Sequence, residues 1–356
     1  MIRLEARAST PAWFNLALPL AAVLATLVAC SGLIALAGAS IVESYAIMAV
    51  AAFGDPAAFD AYAITETLVR AAPMIFTGLA VAVAFRAKFW NIGAEGQLLA
   101  GAVASCAAGG IAMPGPLGML AMTLAGAAAG GAVALVPALL RVRLKVDDVV
   151  SSLLLNSVIY YALMALIEGP WKDPLSGYPI SPPIQDSAIF PILLADTRLH
   201  IGVVAALVAA PIIWFVISRT VLGFSIRVTG ENPEAARYAG VRVERVILST
   251  ALLSGALAGL AGVCEVGGVH YQVMSEISPG YGYSGIVIAM LARLNPLGVV
   301  PAAIFLSAVM TGSAAMARAT GVPAFLSEVI QGTALLFMLV ALLFTSYRVR
   351  FNRGAA

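Results

Sequence analysis

Residues 117–140 read LGMLAMTLAGAAAGGAVALVPALL, and RVRLK (141–145) follows at once. No charged side chain interrupts that run, and as a helix it would extend about 36 Å at 1.5 Å per residue. A hydrocarbon core is roughly 30 Å thick. The stretch is therefore long enough to cross a bilayer, and its basic end is suited to the aqueous face.

The same alternation recurs along the chain. The 356 residues are 61% hydrophobic and only 11% charged, against roughly a quarter charged in soluble domains. Further apolar blocks lie at 16–39, 71–86, 97–112, 149–167, 199–218, 246–268, 283–294, 297–316 and 325–346. Those at 71–86, 97–112 and 283–294 are short, and 40–62 adds a candidate broken helix near Gly54-Asp55-Pro56. The sequence predicts one all-α membrane domain over 1–356, a bundle of about ten (8–10) transmembrane helices. The small-residue sequence Ala37-Gly38-Ala39 resembles a signal cleavage site, but the run before it is too long for a signal peptide and reads as an uncleaved first span. Cys30, Cys106 and Cys264 sit inside apolar blocks as small hydrophobes. His200 and His270 lie far apart at predicted helix ends, a spacing that gives a metal site no support.

Alternating the spans from a cytoplasmic N-terminus places all but Arg70, Lys172, Arg198 and Arg318 of the 20 Lys and Arg inside. That asymmetry fits the positive-inside rule with an even number of spans and both termini cytoplasmic. It makes 169–199 an extracytoplasmic loop and 219–245 a cytoplasmic one.

The inner loop contains Gly230-Glu231-Asn232-Pro233-Glu234-Ala235-Ala236-Arg237-Tyr238-Ala239-Gly240. Asn232 suits an N-cap, Pro233 the first helical position and Gly240 the C′ position. A helix over Pro233–Ala239 is too short to stand alone and must lie on something. Either it packs on its own inner face, or its alanines enter a groove on a cytoplasmic partner.

Asn91-Ile92-Gly93-Ala94-Glu95-Gly96-Gln97 follows one apolar run and opens the next without room for a loop. Asn91, Glu95 and Gln97 are costly against lipid. The segment is either a capped surface turn, with Glu95 at a helix N-terminus, or a broken-helix element lining a translocation path. Asn156 within the fifth span suits an interhelical hydrogen bond or a solute contact. Glu265, three residues from the end of its span, either reaches water or faces the path. Gly255-x3-Gly259 and Ala258-x3-Gly262 form a small-residue packing face. Ala84–Gly93 and Ala289–Gly298 share the pattern A-x-x-A-[K/R]-[F/L]-x-x-[I/L]-G, read as shared turn chemistry at two inner-face turns.

Glu234-Ala235-Ala236-x3-Gly240 resembles the EAA-x3-G signature of ABC-importer permeases. Asn91–Gln97, Leu253–Gly262, Arg293-Leu294-Asn295-Pro296-Leu297-Gly298 and Val329–Gly332 add to that likeness. From about Thr67 to Leu343 the chain is similar to permeases of branched-chain amino acid and simple-sugar importers, nearest the nucleoside and purine branch. Two departures stand out: Ala292 where the family usually has Gly, and Asp147-Asp148 in place of Asn-Glu.

The resemblance implies a permease subunit in a bacterial cytoplasmic membrane that translocates a nucleoside, purine or simple sugar. It implies ATPase coupling through Asn232, Pro233, Glu234, Ala235, Ala236, Tyr238 and Gly240. The implied partners are ABC ATPase subunits, a second and different permease, an extracytoplasmic solute-binding lipoprotein and membrane lipid, with no nucleic acid. No Gly-x4-Gly-Lys-[Ser/Thr] loop is present, so the chain is expected to bind no cofactor and to leave ATP to its partner. An ion-coupled carrier, the alternative, would want ionisable residues near the bilayer midplane.

Overall fold

The computed structural model describes residues 2–6, 14–55, 61–174, 177–323 and 325–351. Among them, thirteen α-helices dominate: α1 (Phe14–Leu36), α2 (Ile41–Phe53), α3 (Ala61–Arg86), α4 (Ala94–Gly109), α5 (Leu117–Leu139), α6 (Asp148–Glu168), α7 (Ile201–Arg219), α8 (Val221–Glu231), α9 (Pro233–Tyr238), α10 (Val243–Glu265), α11 (Tyr281–Leu291), α12 (Pro296–Thr320) and α13 (Phe325–Ser346). A short antiparallel ladder pairs β1 (Ile2–Ala6) with β2 (Tyr347–Phe351). The all-helical expectation holds. Of the ten expected spans, six helices among the described residues are long and apolar enough to cross a membrane: α3, α5, α6, α7, α10 and α12, two of them lengthened by a π turn.

The chain divides into two compact units, one of residues 1–64 and 306–356, the other of 65–305. In the first, Cys30, Ile34, Met316 and Ile330 form a buried cluster with Tyr45 and Met48 against it. Helix α2 is the short element expected over 40–62. Ser40 caps its start and Gly54, at φ +85°, ends it; residues 56–60, Pro56 among them, lie outside the described residues.

The centre of the second unit is a crossing of α4, α5 and α10 built on glycine. A Cβ on Gly101 would strike Gly259, one on Gly130 would strike the Gly255 carbonyl, and one on Gly262 the Leu98 carbonyl. The expected small-residue face of α10 is this contact, where backbones touch because no side chain intervenes. Helix α3 is almost wholly buried and begins ten residues before its expected start at 71. The charges at Glu66 and Arg70 break the hydropathy pattern, yet the helix runs through them, and Glu66 accepts Arg198 Nε at 2.8 Å.

The two matched turns close alike. Phe89 N donates to the Ala84 carbonyl at 3.1 Å and Leu294 N to Ala289 at 2.8 Å, five residues back in each case. Lys88 and Arg293, at φ +51°, both occupy the left-handed position of a Schellman-type cap. Ala292 keeps right-handed backbone at the end of α11, so no glycine is needed there. Arg86 Nε donates to the Leu294 carbonyl at 2.9 Å, which sets both turns at one end of the unit.

The segment 169–199 is folded back over the opposite end. Gln185 N bonds Gly109, Ile184 N bonds Tyr271 and Phe190 N bonds Gly267, each at 2.8–2.9 Å.

Candidate functional site

The segment Asn91–Gln97 is not a surface turn. After the cap at Lys88 it runs back into the bundle. Asn91 Nδ2 reaches Ser254 Oγ at 3.0 Å, and Ser254 Oγ donates to the Ala80 carbonyl at 2.7 Å. Ser254 lies eleven residues into α10, about 16 Å along the helix axis. Helix α4 therefore begins deep inside the unit rather than at its edge, and it is a broken-helix element.

The Asp148 carboxylate and the Asn156 carboxamide hold this re-entrant segment, and a second acid caps the helix that carries them. Asp147 caps α6 by accepting Val150 N at 3.0 Å. Asp148 accepts Trp90 N at 2.7 Å and pairs with Arg141, which donates to the Lys88 carbonyl at 2.7 Å. The substituted Asp147-Asp148 pair thus does two separate jobs, a cap and a clamp. Asn156 Oδ1 accepts Gly96 N at 2.8 Å, while its Nδ2 donates to the Ile92 carbonyl at 3.0 Å.

The structure separates the residues expected to line a path. Asn91 and Gln97, 0% and 1% exposed, donate reciprocally through their side-chain amides at 2.9 and 2.8 Å. Both lock the turn, and neither lines the cavity. Glu95 and Asn156 do line it. A cavity of about 310 Å³ opens beside them, walled by Tyr160, Tyr161, Ser278 and Tyr283, at the small end of the range for ligand pockets. Asn156 also donates to Tyr283 Oη at 3.3 Å, so the predicted interhelical bond and a cavity position coexist.

Glu95 joins two helix N-termini. Its carboxylate accepts Gly282 N at 2.6 Å, and Ser278 and Tyr283 N–H also bond to it. The N-cap of α11, Gly280, supplies no side-chain bond, so Glu95 caps α11 from across the interface. Gly282 permits this approach, because a Cβ there would strike the Glu95 and Ala94 backbone. A glycine at the second position of an apolar helix, facing a buried acid, is the signal that sequence reasoning passed over.

Glu265 does not reach water as its place near a span end suggested. It is 3% exposed, because α10 continues through a π turn, Val266–His270, and His270 Nε2 lies 3.3 Å from its carboxylate. It is not among the residues lining the Glu95 cavity.

At the other end of the unit, Asn232 Oδ1 accepts Glu234 N and Ala235 N at 3.0 and 3.1 Å, and Pro233 opens α9. Gly240, at φ +84°, closes it. The helix is one residue shorter than expected, and α8, missed in the sequence, leads into it. Ala236 does not belong to an outward small face: it is 0% exposed and packs on its own chain. Tyr238 is 98% exposed, and Ala235 and Ala239 flank it on the open side.

Residues 63–339 match the family model described as the permease component of the branched-chain amino acid transport system. A glucose ABC transporter permease of Haloferax volcanii is 35% identical over 98% of this chain and 93% of its own length. A guanosine ABC transporter permease of Bacillus subtilis is 33% identical over 96% of each. A nucleoside ABC transporter permease of Lactococcus lactis is 29% identical over 79% of this chain and 80% of its own. No solved structure matches the chain.

Proposed function

The chain belongs to the family of permease components of branched-chain amino acid transport systems, and from that membership we propose how this ABC-importer subunit is coupled and what it carries. Proteins of this kind are membrane-spanning transport subunits and not enzymes. In the proposed arrangement α9 docks on an ATPase, which uses the ATP, and this chain binds no cofactor. A second, non-identical permease completes the pore, and a lipoprotein binding protein delivers solute. The setting is a bacterial inner membrane crossed about ten times.

The observation that carries the coupling assignment is Tyr238, 98% exposed on a helix capped by Asn232 and seated by Ala236. A large, open aromatic on a rigid support is the composition of an interface anchor. Glu234, Ala235 and Gly240 keep supporting roles in that surface; Ala236 supports it from beneath. Charge supports the orientation. Arg86, Lys88, Arg141 and Arg293 belong to turns that touch at one end of the unit, which suits the cytoplasmic side. The pairing of Ile2–Ala6 with Tyr347–Phe351 supports both termini on one side and hence an even span count.

The Glu95 cavity supports a solute rich in hydroxyl and ring N–H donors, a description met by nucleosides, purine bases and sugars. A carboxylate, a carboxamide and serine accept such donors, and three tyrosines cover ring faces.

The test is retention of the ATPase. Tyr238→Ala removes the anchor, and Ala235→Arg overfills the groove, a change costing about 1–3 kcal/mol, or roughly five- to 150-fold in affinity. Both variants are expected to insert normally and to lose the ATPase on purification, with uptake gone. Uptake that continues with no ATPase present would overturn the assignment in favour of an ion-coupled carrier.

A further inference from the structure

The 169–199 segment is seated along one part and stitched along another. Residues 184–190 sit on glycines: a Cβ on Gly109 would press on Ile184 and Ala188, one on Gly118 on Ser187, and one on Gly267 on Phe190. Ile184, Ala188 and Phe190 are buried in that seat, and Arg198 pins the far end of the segment to Glu66 of α3. The stretch just before the seat meets residues 271–280 instead. Ser181 N donates to the Val273 carbonyl at 2.9 Å and Val273 N to Ser181 Oγ at 2.8 Å, with Ile180 opposite Met274 in an antiparallel bridge.

Residues 271–280 are also a wall of the Glu95 cavity, which Ser275, Ser278 and Gly280 line. They run without helix from the π turn after α10 to the start of α11. Two left-handed residues bound them, Tyr271 at φ +59° and Gly280 at φ +88°. Changes of backbone angle at such element ends swing a segment while the helices on either side stay in place. Hydrogen bonds hold the wall on both sides, Ser278 to Glu95 towards the cavity and Val273 to Ser181 towards the strap.

We propose that 271–280 is a gate on the Glu95 cavity, latched to the 169–199 segment by the Ser181–Val273 exchange, and that this latch parts when solute enters. The proposal rests on the reading of the cavity as a solute path with the 169–199 end outward. The chemistry of the two contacts decides which of them yields. A hydroxyl and two backbone groups trade their mutual hydrogen bonds for those of water at small net cost, whereas lifting Ile184 and Phe190 from their seat exposes apolar surface. Ser181 stays with the seated part, since Cys106 Sγ of α4 lies 3.2 Å from its Oγ. The wall therefore leaves and the strap remains. Val273 and Ile277 on the wall are both 0% exposed, and their reburial draws the gate shut again.

The test is a reversible lock in the full chain assembled with its partner subunits. Ile180→Cys with Met274→Cys sets two thiols across the antiparallel bridge, a placement that a disulfide can span. Both positions are partly exposed, whereas the native cysteines are buried. Oxidant is expected to join them, as peptide mapping reads, and uptake of labelled guanosine and of glucose falls in proportion to the cross-linked fraction. Reductant restores uptake in the same molecules, which separates gating from misfolding, and each single variant ignores the oxidant. A second readout needs no solute. Ile277→Cys is expected to react with an impermeant maleimide during ATP turnover in proteoliposomes and to be protected at rest. Full uptake by the cross-linked protein overturns the gate. So does a cross-link that never forms, because the two residues then do not stand together, and so does a thiol at 277 that stays protected during turnover. If the locked protein transports normally while Glu95→Gln does not, the gate alone fails; if neither change alters uptake, the cavity reading fails with it.

Discussion

Glu95→Gln tests whether the broken helices meet for a purpose. The carboxylate of Glu95 receives Gly282 N at 2.6 Å, with Ser278 and Tyr283 N–H beside it. All of these are donors. Glutamine keeps the volume and one acceptor oxygen but turns an NH2 group towards donors that it cannot satisfy. A hydrogen bond to a charged group contributes about 1.5–3 kcal/mol net, so the seating of α11 on α4 should weaken roughly 10- to 150-fold. Tyr283 of α11 is a cavity wall, and the wall loosens with it. The assay is uptake of labelled guanosine and of glucose by cells that express the chain with its partner subunits. Membrane levels and thermal stability in detergent are measured alongside. The expected outcome is a normally inserted protein with uptake reduced at least tenfold. Normal uptake by Glu95→Gln, or a loss no larger than the fall in folded protein, would refute the reasoning.

Two further outcomes are expected. Tyr178, 68% exposed in the 169–199 segment, converted to cysteine should react with an impermeant maleimide in intact spheroplasts, while Lys145→Cys should react only after permeabilisation. The native cysteines are all buried and do not compete; the reverse pattern rejects the orientation. Gly230→Ala should leave the ATPase bound and its basal hydrolysis intact but cut uptake several-fold, because a Cβ there strikes the Arg86 carbonyl. Unchanged uptake by that variant would remove α8 from the transmission route.

The long apolar helices were legible because their physics is local: a run without charge, a basic residue at the end, a glycine face. The start of α3 was not. Its outer turns carry Glu66 and Arg70, and Arg198, which pairs with Glu66, lies far along the chain. The two turns at Lys88 and Arg293 were read correctly from one shared pattern, since a Schellman-type cap is decided within six residues. Glu95 could be picked out as costly in lipid, but its role depends on Gly282, which no spacing rule connects to it. Asn91 and Gln97 looked equally polar and proved to satisfy each other. Ala236 and Tyr238 show the same limit within one short helix. Six residues have no periodicity to reveal which side faces the chain.

What the structure adds is a continuous set of contacts between α9, the proposed docking helix, and the cavity, made through close backbone approaches and two side chains. Helix α9 follows α8 directly at Asn232, and Gly230 of α8 lies on the Arg86 carbonyl. The Arg86 guanidinium holds the Leu294 carbonyl at 2.9 Å, in the turn that closes α11. The first turn of α11 is held by Glu95. The backbone approaches at Gly230 and Gly282 have no side-chain rotamer to absorb a displacement, and the Arg86 and Glu95 side chains join them by hydrogen bonds. Glycine stands at both tight points, Gly230 and Gly282, where any side chain would force the elements apart. A permease that must open its path when a partner moves needs a stiff connection and one yielding joint. The tightest contact is that of Gly230 on the Arg86 carbonyl, and the junction of α4 and α11 is held by three hydrogen-bond donors to the Glu95 carboxylate, the joint that Glu95→Gln loosens.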